Sequence, residues 1–346
     1  MTTATATTAD DLDAIGDIPA TADERATRLP TPLDLYSRWE RQPWSVADVR
    51  VARDLDTWRA LRPFSRQELL NALAELEVGE VCVTQTLSSL VDHAPNPDYQ
   101  LYLCTQLADE ARHVRFFQSY LGEVVGIGDG SAEGQALAEA TDYATVFEPE
   151  LRRTTEAVRT GGGDLDQWFT ALAHYHLVTE GILATTALRT TRQLAKRLGL
   201  AALDEGLANV TRDESRHVAF GLLAARAGVR DGHRELIADA YLSAVALAVE
   251  VLVGPQRKTA APSLRPALLQ RAAQIETQWE LARDRMIRQL SLIDLRDLRD
   301  RAERVWADAR SAALDSYQER WGVEHPVRRA EGITARAKAK LEAERD

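Results

Sequence analysis

The chain has 346 residues, long enough for one large domain or two small ones. Hydrophobic residues make up 45% of it and charged residues 27%, while glycine and proline number only 19 and 12. The abundance of alanine, leucine, arginine and glutamate favours an all-α fold. The formal net charge of −11, without a long basic run, argues against nucleic-acid binding.

Cysteine content and hydrophobic patterning indicate a protein of the reducing cytoplasm. Cys82 and Cys104 are the only cysteines, so the chain has neither a disulfide framework nor CxxC zinc spacing. The N-terminus lacks a basic region followed by an apolar core and does not resemble a signal peptide. No stretch approaches 18 uninterrupted apolar residues, and no membrane span is expected.

Long helices with short breaks are predicted along most of the chain. Residues 1–30 are rich in Thr, Ala and Asp and are predicted to be a disordered leader. Ser65 and Glu68 have the spacing of a capping box and predict the start of the first long helix. Breaks are expected at the Gly-rich segment 126–134 and at 161–163. Helices are predicted at about 33–41, 46–61, 65–92, 98–122, 135–159, 165–198, 202–227, 234–252 and 264–292.

The absence of alternating strand patterns indicates a helical bundle. We predict one helical domain over 31–326, because no boundary is visible inside 35–300. The charged tail, 327–346, is expected to be either a solvated helix or disordered.

The chain contains the pentapeptide D-E-x-R-H twice, as DEARH at 109–113 and DESRH at 213–217. On a helix, Glu110 and His113 share one face, as do Glu214 and His217. A single Glu-x-x-His is usually an ordinary solvated helix face. Two matching copies, which use two of only seven histidines, indicate a metal site instead.

A dinuclear site in a bundle also needs one glutamate from each of two further helices. Glu180 lies within the apolar sequence HLVTEGILATTAL, where an unpaired carboxylate would be costly to bury. The alternative is that Glu180 lies on an exposed stripe of that helix. The earlier helix offers Glu75, Glu77 and Glu80, and we choose Glu80 because apolar or small residues follow it.

The six candidate ligands form an internal repeat. Glu80 precedes Glu110 by 30 residues, and Glu180 precedes Glu214 by 34. Each half therefore has a helix with a glutamate, a return, and a helix with Glu-x-x-His. This pseudo-symmetry is the strongest functional signal in the sequence.

Asp109 and Asp213 precede the two ligand glutamates. A metal-bound histidine usually donates its second ring N–H to a carboxylate, so each aspartate is predicted to serve a histidine of the opposite half. The alternative is an ion pair on the surface with Arg112 or Arg216.

These residues resemble the ferritin-like superfamily and, within it, the ribonucleotide reductase small-subunit branch, over about 69–223. The segments G-E-x-x-V-T at 79–84 and E-G-x-L-A at 180–184 are most similar to the small-subunit-like ligand-binding oxidases. That group binds a long-chain lipid and uses a manganese/iron centre. The resemblance implies a ferritin-like four-helix bundle core with additional flanking helices.

The resemblance also implies roles for residues near the ligands. Phe117 stands where radical-bearing small subunits have tyrosine, which argues against a stable tyrosyl radical there. The oxidases form an ether cross-link between positions that correspond here to Val83 and Tyr175. Without the cross-link, Tyr175 would be a core tyrosine or one hydrogen-bonded near the site. Val210 stands where the related di-iron N-oxygenases have an additional histidine, which argues against them.

His176, four residues before Glu180, faces the same way as that ligand and is predicted to support the site or to be a core histidine. The two proposed metal positions are Glu80, Glu110 and His113, and Glu180, Glu214 and His217. Glu110 and Glu214 would bridge, as their equivalents do in the resembling family.

Four carboxylates would balance two divalent ions and suit redox work with dioxygen rather than hydrolysis. The expected cofactor is a Mn/Fe pair or two Fe. The expected reaction is a two-electron oxidation of a C–H bond, in a bound apolar, fatty-acid-like ligand or in the protein itself, and a homodimer is expected.

Three other functions share this pattern. A radical-generating subunit of a class I ribonucleotide reductase would need a C-terminal docking peptide, and the tail TARAKAKLEAERD lacks an aromatic-rich acidic end. A di-iron monooxygenase of secondary metabolism would share the site and differ in substrate. A metal-storage or structural bundle would use neither dioxygen nor an organic ligand.

Overall fold

The computed structural model describes residues 29–128 and 131–343, and it has no strand within those ranges. The predicted leader falls almost wholly outside the described residues. The α-helices are α1 Pro32–Arg41, α2 Leu55–Ala60, α3 Pro63–Asp92, α4 Pro97–Tyr120, α5 Ala132–Glu139, α6 Glu148–Thr160, α7 Leu165–Leu172, α8 Thr185–Leu198, α9 Ala201–Gly228, α10 Arg234–Val253, α11 Arg265–Leu292, α12 Arg299–Trp321 and α13 Pro326–Ala343. The all-α ferritin-like prediction is confirmed.

Four long rods form the central bundle: α3, α4, α9 and a continuous rod made of α7 and α8. The π-helical segment Ala173–Ala184 joins α7 to α8 without a break. Two further π-helical stretches follow α4 and precede α6, at Leu121–Val125 and Tyr143–Phe147. The segment Val229–His233 joins α9 to α10 through a kink at Gly232, which has φ 104°. Short 3₁₀ turns lie at Val46–Asp48, Val51–Asp54 and Arg296–Leu298.

A short connection joins the two rods of each pair, α3 to α4 and α8 to α9. Asn96 caps α4 by accepting a hydrogen bond from the Tyr99 N–H, and Pro97 occupies the first turn, where its missing N–H costs nothing. Gly199 ends α8 with φ 74°, a left-handed conformation that favours glycine. The rods therefore run antiparallel, with little chain between them.

A polar layer divides the bundle core into two apolar clusters. Leu103 on α4 and Val218 on α9 belong to one cluster. Phe116 on α4 and Val210 on α9 belong to the other. The buried acidic and histidine side chains lie between these positions in the sequence. Such a layer is costly unless its charges are paired or bind a cation.

Several element boundaries differ from the sequence predictions. The first long helix begins at Pro63 with Arg62 as N-cap, so the capping role predicted for Ser65 is wrong. Proline at N1 starts this helix without a side-chain cap. The segment predicted as one helix over 46–61 is two 3₁₀ turns followed by α2, and the helix predicted over 135–159 is interrupted between α5 and α6. The sequence analysis missed α12, and the tail forms α13.

Among the described residues, the stretch Ala201–Val253, which is two helices joined through a kink at Gly232, is long and apolar enough to cross a membrane by length and composition alone. Half of its most apolar window is buried inside the fold, as is common for core helices. Its first part carries Glu214 and His217, both buried in the polar layer.

Candidate metal centre

The polar layer brings the six predicted ligands together in two overlapping groups. The ligand atoms within each group lie within 4.8 Å of one another, and every member is buried. The groups are Glu80, Glu110, His113 and Glu214, and Glu110, Glu180, Glu214 and His217. Glu110 and Glu214 belong to both groups, so this arrangement would let them bridge two ions.

Each of the four rods contributes to the site. Glu80 comes from α3 and Glu180 from the π-helical segment, while α4 and α9 each supply a glutamate and a histidine three residues apart. That spacing keeps the two side chains on one helix face. Glu75, the alternative on α3, lies elsewhere: its carboxylate accepts from the Asp142 and Tyr143 N–H groups.

Both histidines turn Nδ1 toward the carboxylates. His113 Nδ1 lies 3.2 Å from a Glu80 oxygen and 3.3 Å from a Glu214 oxygen. His217 Nδ1 lies 3.2 Å from a Glu110 oxygen and 3.4 Å from the same Glu214 oxygen. Two nitrogen donors and four carboxylates thus converge on one small volume, a donor set typical of manganese and iron.

Several buried carboxylate oxygens of this cluster accept no hydrogen bond from the residues that the structure describes. They are Glu110 Oε2, Glu180 Oε1 and Glu214 Oε2. Buried carboxylate oxygens are rarely left unpaired, because desolvation then goes uncompensated. Two cations would satisfy these atoms, so the residues present fit a dinuclear metal centre.

The electrostatics of the cluster point the same way. Burial raises the pKa of Glu80 to about 8. Burial and repulsion from Glu214 and Glu110 raise the pKa of Glu180 well above its ordinary value. Burial opposes charge on His113, but Glu80 and the neighbouring carboxylates outweigh it and raise its pKa well above 6.5. Without a cation the cluster therefore retains protons that ligation must displace.

Metal binding is accordingly expected to release protons at pH 7. Glu80, Glu180 and His113 must each lose a proton to offer a lone pair, because their pKa values are raised in the metal-free cluster. Affinity should rise with pH from 6.5 to 8, by roughly tenfold per unit for each proton released. Calorimetric titration of Mn²⁺ in two buffers of different ionisation enthalpy measures that number. Binding without proton release would contradict the assigned pKa directions.

The outer nitrogen of each histidine faces an aspartate of the opposite half. His113 Nε2 lies 3.2 Å from Asp213 Oδ2, and His217 Nε2 lies 3.4 Å from Asp109 Oδ2. The alternative ion pairs coexist with these contacts: Arg216 Nη2 donates to Asp109 and Asp213, at 2.8 and 2.6 Å. Both aspartates are buried, so this network belongs to the interior.

Two tryptophans also bind these aspartates, and the sequence analysis missed them. Trp39 Nε1 donates to Asp109 Oδ1 at 3.0 Å, and Trp44 Nε1 donates to Asp213 Oδ2 at 2.6 Å. Both indole rings are half-buried. The pseudo-symmetry therefore extends beyond the ligands in space, since each aspartate joins a tryptophan to the histidine of the opposite half.

His176 contacts the centre only through another residue. Its Nε2 lies 3.0 Å from Gln106 Oε1, and Gln106 Nε2 donates to Glu110 at 3.3 Å. Burial lowers the pKa of His176 well below 6.5, so the ring is neutral. Because Gln106 Oε1 can only accept, His176 carries its proton on Nε2. The sequence analysis missed Gln106, which lies one turn before Glu110.

The two residues predicted to form a cross-link are both buried near the cluster. Tyr175 donates its O–H to Glu110 Oε1 at 3.5 Å, and burial raises its pKa well above 10. Val83 lines a cavity beside the centre. Phe117 is buried against Phe116, so this position offers no phenolic hydroxyl.

The cavity beside the centre lies between α3, the π-helical segment, α8 and α10. Its volume is about 230 Å³. Glu80, Glu180 and Glu214 form its inner end. Apolar and small side chains cover much of the remainder, including Leu76, Gly79, Val83, Leu183, Ala184, Ala187, Val251 and Leu252. We call this space the ligand cavity.

Residues 27–252 match the family model of the ribonucleotide reductase small chain. One curated relative is the ribonucleoside-diphosphate reductase subunit beta of Chlamydia pneumoniae, 24% identical over 52% of this chain and 54% of that protein. Another is the ribonucleoside-diphosphate reductase small chain of Ostreid herpesvirus 1, 24% identical over 27% of this chain and 16% of that protein. The chain thus spans about half the length of the chlamydial relative.

Similar solved structures include an R2-like ligand-binding oxidase from Sulfolobus acidocaldarius, with a TM-score of 0.62 and 21% identity. The match covers 80% of this chain and 95% of that one. A mutant R2-like ligand-binding oxidase with aerobically reconstituted Mn/Fe cofactor also has a TM-score of 0.62, at 22% identity, covering 76% and 92%. At these identities the likeness establishes the shared fold.

Proposed function

Because the chain belongs to the ribonucleotide reductase small-chain family, we propose that it is a dioxygen-using oxidase that acts on an apolar ligand beside a dinuclear metal centre. The main support is the adjacency of the buried carboxylate–histidine cluster and the ligand cavity, which share Glu80, Glu180 and Glu214. The Mn/Fe pair named for a similar structure is the proposed cofactor, with two irons as the alternative.

Glu80, Glu110, Glu180, Glu214, His113 and His217 would hold the ions. When bound, the pair supplies two electrons for the reduction of dioxygen. Full reduction to two waters takes four electrons, so the other two come from an organic bond. The apolar walls of the ligand cavity would place a C–H bond of a fatty-acid-like ligand there and limit access of bulk water.

The protein itself offers a second source of those two electrons. Loss of one hydrogen from a C–H bond of Val83 and one from the Tyr175 O–H would leave an ether bond and release two electrons and two protons. Tyr175 is protonated because burial raises its pKa, and its O–H faces Glu110. We propose this cross-link on the resemblance to the ligand-binding oxidases and on these positions.

Metal analysis and peptide mass after aerobic loading test the proposal. Loading with both metals should give about one manganese and one iron per chain, although the intrinsic affinity order disfavours manganese. The Val83 and Tyr175 peptides should appear joined, lighter by the mass of two hydrogen atoms, and should stay separate in Tyr175→Phe. Two irons would favour a di-iron monooxygenase, and a chain without stoichiometric metal would overturn the proposal.

A radical-generating reductase subunit is the second candidate, favoured by the names of the two curated relatives. Phe117 argues against a tyrosyl radical at that position. Restoration of ribonucleotide reduction on mixing with a large subunit would support this candidate over the oxidase. We further propose a cytoplasmic homodimer, and the size of the protein in solution tests its oligomeric state.

A further inference from the structure

A buried glutamine from a flanking helix reaches the π-helical segment that carries Glu180. Gln289 lies on α11, outside the four rods, and is only 4% exposed. Its Nε2 donates to the Leu177 main-chain carbonyl at 2.9 Å. The Tyr241 hydroxyl, on α10, donates to Gln289 Oε1 at 2.6 Å. We call Gln289 and Tyr241 the π-clamp, because they join two flanking helices to the π-helical segment.

The two hydrogen bonds fix the orientation of the Gln289 amide. A main-chain carbonyl can only accept, so the amide nitrogen faces Leu177 and the amide oxygen faces Tyr241. Tyr241 is completely buried, and its hydroxyl oxygen also lies 3.3 Å from the Met286 carbonyl oxygen, one turn earlier on α11. Polar groups buried this deeply are costly to leave unpaired. The π-clamp is therefore held in one arrangement, and loss of either member takes a hydrogen-bond partner from the other.

The π-clamp contacts the helix on both sides of Glu180. Leu177 lies three residues before that ligand, and Gly181 directly follows it. A Cβ at position 181 would overlap Gln289 Nε2, so the glycine leaves the space that the amide occupies. The Gln289 amide therefore packs against the helix within one turn of a predicted metal ligand.

The π-helical geometry decides which side chains of this segment face the centre. The Thr185 N–H donates to the Glu180 carbonyl, five residues earlier, as in a π-helix. On an α-helix, the side chains of Tyr175 and Glu180 would point roughly 140° apart. The i→i+5 repeat of a π-helix brings them to nearly the same face. Tyr175 accordingly donates its O–H to Glu110 at 3.5 Å, and Glu110 and Glu180 belong to one ligand group.

We infer that the π-clamp positions Glu180 and Tyr175 at the metal centre by holding the π-helical turn that carries them. Gln289 and Tyr241 are thus positioning residues, because the amide bonds the main chain rather than a ligand carboxylate. Removal of a residue that supports a metal ligand commonly weakens metal binding by roughly 10- to 100-fold. The inference rests on the proposed function, since it takes Glu180 as a metal ligand.

The test compares Gln289→Met and Tyr241→Phe with Tyr120→Phe, each as the full chain. Methionine keeps the length of glutamine and removes both hydrogen bonds. Tyr120→Phe is the matched control, because Tyr120 is another fully buried tyrosine and donates to Asp54 at 3.1 Å, at the end of α4. Thermal unfolding gives the stability of each variant. Electron paramagnetic resonance follows a titration of the metal-free protein with Mn²⁺ and reports the surroundings of the bound ion.

In Gln289→Met, one of the two Mn²⁺-binding steps should weaken by about tenfold, and the spectrum of the bound ion should change. Tyr241→Phe should shift both in the same direction by less, because Gln289 keeps its bond to Leu177. Tyr120→Phe should lower stability and leave the Mn²⁺ affinity and spectrum as in the wild type. Amide hydrogen exchange over Ala173–Ala184 in the metal-free protein should quicken in the two π-clamp variants alone.

Negative results separate the inference from the proposed function. If folded Gln289→Met binds Mn²⁺ with the affinity and spectrum of the wild type, the π-clamp only stabilises the fold and the inference is overturned, while the metal centre stands. If all three variants weaken binding equally, general loss of stability explains the effect and the inference is again overturned. Should Gln289→Met not fold, Tyr241→Phe decides on the same readouts. If the wild type itself binds no Mn²⁺, the proposed function fails and the positioning role falls with it.

Discussion

The Glu110→Ala variant is expected to lose both metal ions, so that the content of loaded protein falls from about two per chain to near zero. Glu110 and Glu214 are the carboxylates common to both ligand groups. Loss of Glu110 removes an oxygen from each position and leaves Glu214 as the only remaining bridge. Glu110 is also fully buried, so water cannot easily replace its oxygens.

Removal of an outer glutamate should have a smaller effect. Glu80 and Glu180 each belong to one ligand group, so Glu80→Ala should reduce occupancy chiefly at the position that His113 shares. Glu75→Gln is the matched control, because it alters another carboxylate of α3 that lies outside both groups. Plasma emission analysis after desalting measures metal per chain. Two ions retained in Glu110→Ala would show that the cluster is not the metal centre.

The candidate ligands could be chosen from the sequence because their pattern is local. Glu-x-x-His needs only the helical repeat to place both side chains on one face, and its second copy favoured a metal site over coincidence. Glu180 stood out because its neighbours are apolar. Glu80 was chosen over Glu75 because apolar or small residues follow it. Glu75 instead accepts hydrogen bonds from the main-chain N–H groups of Asp142 and Tyr143.

Residues that support the ligands were harder to predict because their partners lie far away in the sequence. Trp39 and Trp44 reach aspartates 70 and 169 residues later, and no local pattern marks them. Nothing in the local sequence distinguishes Gln106, because its partner His176 lies on another rod. The π-helical geometry of Ala173–Ala184 was equally hidden, since hydrophobic periodicity does not distinguish a widened helix from an α-helix over twelve residues.

The π-helical segment Ala173–Ala184 packs closely against α9 at Gly221, and a methyl group added there is expected to lower the stability of the fold. In Gly221→Ala, the added Cβ would overlap His176 Cβ and lie 3.4 Å from the His176 carbonyl carbon. These atoms belong to or adjoin the main chain, so a rotamer change cannot relieve the contact. The two rods must separate, at a cost of roughly 1–3 kcal/mol in the free energy of unfolding, which the better helix propensity of alanine only partly offsets.

The separation should also weaken metal loading. Glu180 lies four residues after His176 on the displaced segment, and His217 lies four residues before Gly221 on the opposing helix. A shift between these rods therefore moves a carboxylate and an imidazole of one ligand group apart. Gly122→Ala is the control, because a Cβ there meets nothing within 4 Å and Gly122 is exposed, beyond the end of α4. Urea denaturation and metal analysis of both variants should show lower stability and lower occupancy in Gly221→Ala alone. Equal stability of the two variants would mean that the rods tolerate the added methyl group and that Gly221 is not required for their close approach.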